Sequence, residues 1–171
     1  ECPDPMRLAS FEAIARALQV ARVRYLVAGG LAVNAHGYLR FTKDVDLVIQ
    51  LQPDNLRQAL SALGSLGYKP ALPVTLEQFA NADTRESWVR DRNMQVFQLW
   101  SDAHVETPID IFVSEPFAFD DEYVKAVVKP LRDDLPVRFV TIPTLIRMKQ
   151  LANREQDRID IEHLRMRLDD E

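Results

Sequence analysis

A short β-rich run, Arg24-Tyr-Leu-Val-Ala28, stops at Gly29-Gly30, and Leu31–His36 then carries helical character up to Gly37. The chain has only five glycines, at 29, 30, 37, 64 and 67, so three of them crowd one nine-residue window. A double glycine at a strand-to-helix corner lets backbone N–H groups approach a ligand with no side chain in the way. Phosphate is the natural guest of such a corner. A plain turn explains the same two residues, and that reading stays open at this point.

Asp44-Val-Asp46 heads the next β-branched run, Asp44–Leu51. Side chains alternate along a strand, so Asp44, Asp46 and Val48 share one face while Val45, Leu47 and Ile49 share the other. Two carboxylates on one strand face repel each other, and a cation between them removes the conflict. A hard divalent ion prefers such oxygen ligands and tolerates phosphate in its shell. A turn cap or a solvated edge is the bland alternative for this pair. Asp110 repeats the arrangement in Pro108-Ile-Asp-Ile-Phe-Val113, where it shares a face with Phe112. An unpaired carboxylate in an apolar strand is costly, so Asp110 has the weaker bland reading. If the two strands are neighbours, three carboxylates converge.

The remaining pattern predicts a helix over Arg7–Val20 and another over Pro53–Leu63, opened by proline and closed near Gly64. Glu86–Arg90 and Met94–Trp100 read as strands of a hairpin turning at Asp91-Arg-Asn93, and Thr107–Val113 as a further strand. Tyr123–Val128 and Val137–Ile142 read as a second pair bridged by Arg132-Asp-Asp134, followed by helices over Pro143–Ala152 and about Glu155–Leu168. No repeat or linker divides this order. The expected fold class is α/β (α+β): a mixed β-sheet with helices packed on one face. One minimal domain is expected over residues 1–171, with a core at about 7–142 and a C-terminal helical pair at about 143–168.

Charge narrows the partners. Lys+Arg 21 against Asp+Glu 26 gives a net charge of −5, so a nucleic acid or nucleotide must be met by a local basic patch or by metal ions. The apolar runs are too short to span a bilayer, so no membrane partner is expected. The residues present carry no secretory signal, and a single cysteine, Cys2, fits a reducing compartment. The expected location is the cytoplasm.

The pattern of strand, Gly-Gly turn, short helix, D-x-D strand and later aspartate resembles the nucleotidyltransferase superfamily of polymerase-β-like enzymes. Ala28-Gly-Gly-Leu-Ala-Val-Asn-Ala-His-Gly37 with Arg40-Phe-Thr-Lys-Asp-Val-Asp-Leu47 is similar to the small bacterial branch near the AbiEii-type toxins. So is the tail from Leu145 to Glu162, where Lys149, Arg154 and Asp157 match a helical motif with Asp160 one turn further on. The resemblance covers about residues 24–50, 107–113 and 141–164, and the stretch 65–105 carries none of it. It implies transfer of a nucleoside monophosphate from an NTP to an acceptor hydroxyl on a protein, an RNA end or a small molecule, with Mg²⁺ or Mn²⁺ as cofactor. Asp44, Asp46 and Asp110 would be the catalytic, metal-holding residues. Gly29, Gly30, Thr42 and Lys149 would bind the nucleotide. A toxin role with an antitoxin partner is a further implication. Many relatives carry serine after the first glycine, and Gly30 departs from that.

Blander readings apply nearby. His36, at a helix end, is expected to meet a carbonyl, and Arg40 and Thr42 to touch phosphate or pair with a carboxylate. The charged tail reads as a solvated helix of i, i+3 and i, i+4 pairs. Trp88, Phe97 and Trp100 read as core, and His104 and His163 carry no metal pattern. The rival function is a catalytically idle module that binds a nucleotide or partner. A hydrolase without nucleotide is disfavoured because it leaves Gly29-Gly30 unexplained.

Overall fold

The computed structural model describes residues 5–170. Cys2 lies outside the described residues. Seven strands form one mixed sheet with spatial order β3-β4-β5-β2-β1-β7-β6. Their ranges are β1 Tyr25–Ala28, β2 Val45–Ile49, β3 Lys69–Pro70, β4 Val96–Trp100, β5 Ile109–Phe112, β6 Val127–Arg132 and β7 Leu135–Phe139. β1 runs antiparallel to β2 and parallel to β7, while β2 runs parallel to β5. Both edge strands contain a Lys-Pro step, Lys69-Pro70 and Lys129-Pro130. Proline withholds a ladder donor and lysine keeps its charge in water, so neither edge invites another strand.

The helices are α1 Pro5–Val20, α2 Gly29–Ala35, α3 Pro53–Ser65, α4 Leu76–Ala80, α5 Ala82–Arg92, α6 Phe119–Lys125, α7 Ile142–Ala152 and α8 Glu155–Asp169. α3 buries Leu56, Ala59, Leu60 and Leu63, the i, i+3, i+4, i+7 stripe of an amphipathic helix, with proline as its first residue. α1 packs on α3, and α2 packs on α7, which packs on α8. Leu26, Val27 and Ala28 are all buried, as are Leu47, Val48 and Ile49. Successive residues face opposite ways, so the central strands are covered on both sides. The expectation of helices on one face is corrected accordingly.

Two other expectations are corrected. Glu86–Arg90 is not a strand but part of α5. Asn81 accepts a hydrogen bond from the Thr84 N–H at 3.0 Å and caps that helix. Asn93 ends it in the left-handed region at φ 49°. α5 buries Arg85 and Trp88 and half-buries Val89 against the core, an inward face with only two apolar residues, adjacent in sequence, and so too sparse to show a helical period. The partners of β4 are β3 and β5 rather than residues 86–90. Likewise Tyr123 belongs to α6, whose first turn carries Asp120, Asp121 and Glu122 and whose last carries Lys125, a charge order that suits the helix dipole. The strand pair survives with its turn at Asp133-Asp134, but shifted to β6 and β7.

Over β4 and β5 the sheet is asymmetric. Phe97, Leu99, Ile109 and Ile111 are buried, with Phe97 stacked on Phe79 at 4.4 Å and on Trp88 at 5.7 Å. On the opposite face Gln98 and Trp100 are exposed and Asp110 is half-buried. Trp88 and Phe97 are core as expected. Trp100 is not: it is 42% exposed on the open face.

Candidate active site

The sheet register joins the aspartates. Asp46 on β2 lies directly opposite Asp110 on the parallel strand β5, and directly opposite Ala28 on β1. Asp44 stands just before β2, half-buried. Gln98, opposite Asp110 on β4, donates from Nε2 to Asp110 Oδ1 at 3.1 Å. The carboxylates therefore sit where the covered part of the sheet meets its open part.

Gly29 follows Ala28 at the same corner. Its φ of +62° lies in the left-handed region, and a Cβ built there would stand 1.9 Å from Asp46 Oδ2. Only glycine satisfies both the dihedral and the space. A Cβ at Gly30 would stand 2.3 Å from Thr42 Oγ1, so the threonine packs on bare backbone. Ala28, the residue before α2, supplies no side-chain cap to the first-turn N–H groups. Gly29→Ala is expected to introduce about 1–2 kcal/mol of backbone strain and to displace the Asp46 carboxyl. Thermal unfolding checks this: an unchanged midpoint would contradict the close approach.

Among the described residues none of the three carboxylates joins an ion pair. Burial, and then the charges of Asp110 and Asp44, push Asp46 up to about 7, against the opposing pull of Lys149 and Arg154. Burial and Asp44 also raise Asp110, while the Gln98 hydrogen bond and Arg154 hold it back. Oxygen donors of this kind, crowded and short of counter-charge, suit a hard divalent cation. Among the described residues no three His, Cys, Asp or Glu side chains are already gathered into a metal shell. The register brings Asp46 and Asp110 together, with Asp44 flanking them.

Lys149 has other bonds. It is buried, with its ammonium 2.7 Å from Asp160 Oδ2 and 3.2 Å from Asp157 Oδ1. Asp160 also receives Arg40 through Nε at 2.8 Å and Nη2 at 2.7 Å, and Gln156 at 2.9 Å. Asp157 accepts from the Arg154 backbone N–H at 3.0 Å and from its Nε at 2.9 Å. The tail is thus no solvated helix of surface pairs. Asp157 and Asp160 are 1% and 0% exposed, at the centre of a network that ties the loop at Arg40 to α7 and α8. Of the two readings for Arg40, its guanidinium takes the carboxylate.

His36 meets a carbonyl as expected, that of Val140 at 2.7 Å. His104 bonds Ser10 at 2.8 Å, and His163 stacks on Tyr38 at 3.7 Å. The residue that sequence reading missed is Gln98. It lies in the stretch without resemblance, and its only signal is a polar position alternating with Phe97 and Leu99.

No family model matches the chain, and no curated protein matches its sequence closely enough to carry a family assignment. Solved structures do resemble it. A lincosamide antibiotic adenylyltransferase, LnuA, bound to lincomycin, superposes with a TM-score of 0.60 at 14% identity, covering 92% of this chain and 95% of that one. ANT(2")-Ia in complex with adenylyl-2"-tobramycin gives 0.53 at 13% identity, covering 92% and 86%. An antigenic nucleotidyltransferase-like protein from Paracoccidioides brasiliensis gives 0.50 at 18% identity, covering 92% and 75%. At these identities the likeness establishes the fold. The chain is folded like a nucleotidyltransferase, a mixed sheet of seven strands with helices around it.

Proposed function

We propose that the chain is a metal-dependent nucleotidyltransferase, built as one minimal domain, that moves a nucleoside monophosphate from an NTP to an acceptor hydroxyl. The observation that carries this reading is the in-register pair Asp46 and Asp110 beside the bare backbone of Gly29. A divalent cation such as Mg²⁺ or Mn²⁺, held by Asp46 and Asp110 with Asp44, would neutralise phosphate charge at the reacting centre. Gly29 and Gly30 let the Asp46 carboxyl and the Thr42 hydroxyl close against the main chain, and the first-turn N–H groups of α2, which no side chain caps, would be the contacts for the phosphates. Asp110 takes the proton of the acceptor hydroxyl, whose oxygen bonds the α-phosphorus. The α–β anhydride bond breaks in line, and pyrophosphate leaves with the electron pair. Lys149 contributes its charge at a distance, since Asp157 and Asp160 hold its ammonium.

Two fold neighbours are described with antibiotics, one bound to lincomycin and one to an adenylylated tobramycin. On that analogy we place a small hydroxylated molecule first among the acceptors, ahead of a protein hydroxyl or an RNA end. A toxin role with an antitoxin partner rests on the motif residues alone. The idle-module reading is favoured by one observation, the lack of a ready-formed metal shell among the described residues.

One assay separates the two. The protein is incubated with each α-labelled NTP, Mg²⁺ or Mn²⁺, and panels of small hydroxylated molecules, proteins and RNA. Label is expected on an acceptor only when metal is present. Absence of transfer, together with absence of metal-dependent NTP binding, would overturn the enzyme reading.

A further inference from the structure

We propose a second ligand site, for a phosphate-bearing molecule with at least two negative charges, in the cleft between the end of α2, strand β6 and the start of α7. The cleft has a volume of about 660 Å³ and is lined by Lys125, Lys129, Arg147 and Arg167, with Glu122 and His36 among its other walls. That volume falls within the roughly 300–1,000 Å³ typical of small-molecule pockets.

The four cations come from four different elements or their ends, and all four are exposed. None of them joins an ion pair among the described residues. Lys129 donates to the Ala35 carbonyl, Arg167 to the Gly37 carbonyl at 2.8 Å, and Arg147 to Thr144 Oγ1 at 2.9 Å. The Lys125 ammonium makes no hydrogen bond or ion pair with any described residue. The single carboxylate in the wall, Glu122, is buried and already engaged. It accepts from the Thr141 N–H and the Thr144 hydroxyl, each at 2.7 Å. Four positive charges against one negative leave the cleft cationic in a chain whose net charge is −5.

Unpaired like charges at one opening repel one another, and an anion between them relieves that repulsion. A single carboxylate would answer only part of the charge. Adjacent phosphates answer more of it, and the two guanidinium forks match their oxygens. The site is separate from the carboxylates. Asp44, Asp46, Asp110 and Gly29 do not line it, and the seven residues of α2 hold the two regions about 10 Å apart. The inference therefore stands independently of the transfer reaction.

Calorimetric titration of pyrophosphate into the full chain tests it, at low salt and with EDTA so that no metal bridges phosphate to the aspartates. Saturable binding is expected, screened by added salt. It should weaken about tenfold or more in Lys125→Ala/Arg147→Ala and be unchanged in Asp46→Asn/Asp110→Asn. Lys125→Gln removes the charge of an exposed ammonium that holds nothing in place, so it supplies a variant with an intact fold, verified by circular dichroism, that must also bind more weakly. Competition by a 5′-phosphorylated RNA oligomer, but not by its 5′-hydroxyl form, would identify an RNA end as the source of the phosphate. No competition would assign the site to a free small molecule. The proposal fails if pyrophosphate gives no binding, if binding follows the aspartates rather than the cations, or if unphosphorylated RNA binds where pyrophosphate does not.

Discussion

Asp46→Asn is expected to raise the thermal midpoint of the protein while removing nucleotidyl transfer. The two effects have one cause. Burial and the neighbouring charges of Asp110 and Asp44 make an ionised carboxylate at position 46 unfavourable. An isosteric amide relieves both without opening a cavity. In a chain of this length each kcal/mol gained moves the midpoint by roughly 2–4 °C. Transfer should fall at least about a thousandfold, or about 4 kcal/mol of barrier at 1.36 kcal/mol per tenfold, because the oxygen donor for the cation is lost. Asp110→Asn should act in the same sense but stabilise less, since Gln98 already donates to that carboxylate. A stability–activity trade-off at one residue separates this reading from a structural role. Were the Asn variant both less stable and fully active, Asp46 would be a fold determinant and nothing more.

Asp160→Ala is expected to be the most destabilising single change in the C-terminal half. Asp160 is fully buried and bonds Arg40 through two nitrogens as well as Lys149. Its removal takes the nearer of two carboxylates from the ammonium of Lys149, a residue only 5% exposed, and both bonds from the Arg40 guanidinium. Breaking one partner from such a pair costs about 3–5 kcal/mol, which corresponds to a midpoint lowered by roughly 6–20 °C. The network also dictates the response to acid. Burial alone would raise Asp160 and Asp157. Hydrogen bonds from Arg40, Lys149 and Gln156 to Asp160, and from Arg154 and Lys149 to Asp157, outweigh burial and hold both below the usual carboxylate value. A depressed carboxylate contributes its full stability above the unfolded value of about 3.9 and loses it as pH falls through the lower folded value. Stability should therefore drop below about pH 4, and more shallowly in Asp160→Asn. Equal acid slopes in the two proteins would show that the network does not govern acid unfolding.

Different physical signals carried different parts of the molecule. The strand at 25–28, the glycine corner, the D-x-D strand and the helix opened by Pro53 were readable because each is local. Dihedral freedom, alternation and a proline at a first turn leave their mark within a few residues. α5 was not readable, because the apolar part of its inward face amounts to Trp88 and Val89 and its caps, Asn81 and Asn93, suit a turn as well. Trp100 carried an apolar label onto a face that no helix covers.

The sequence by itself determined which chemistry was available: three aspartates on or beside strands, a bare glycine corner, and a tail rich in paired charges. Only the tertiary structure decided what those groups do to one another. The parallel pairing of β2 with β5 sets Asp46 opposite Asp110, and the packing of α7 on α8 draws Lys149 into Asp157 and Asp160. The fold also gathers four cations, none in an ion pair among the described residues, around one cleft. Charge interactions depend on separation in space and on water excluded between the groups, and neither quantity is written in the spacing of residues along the chain.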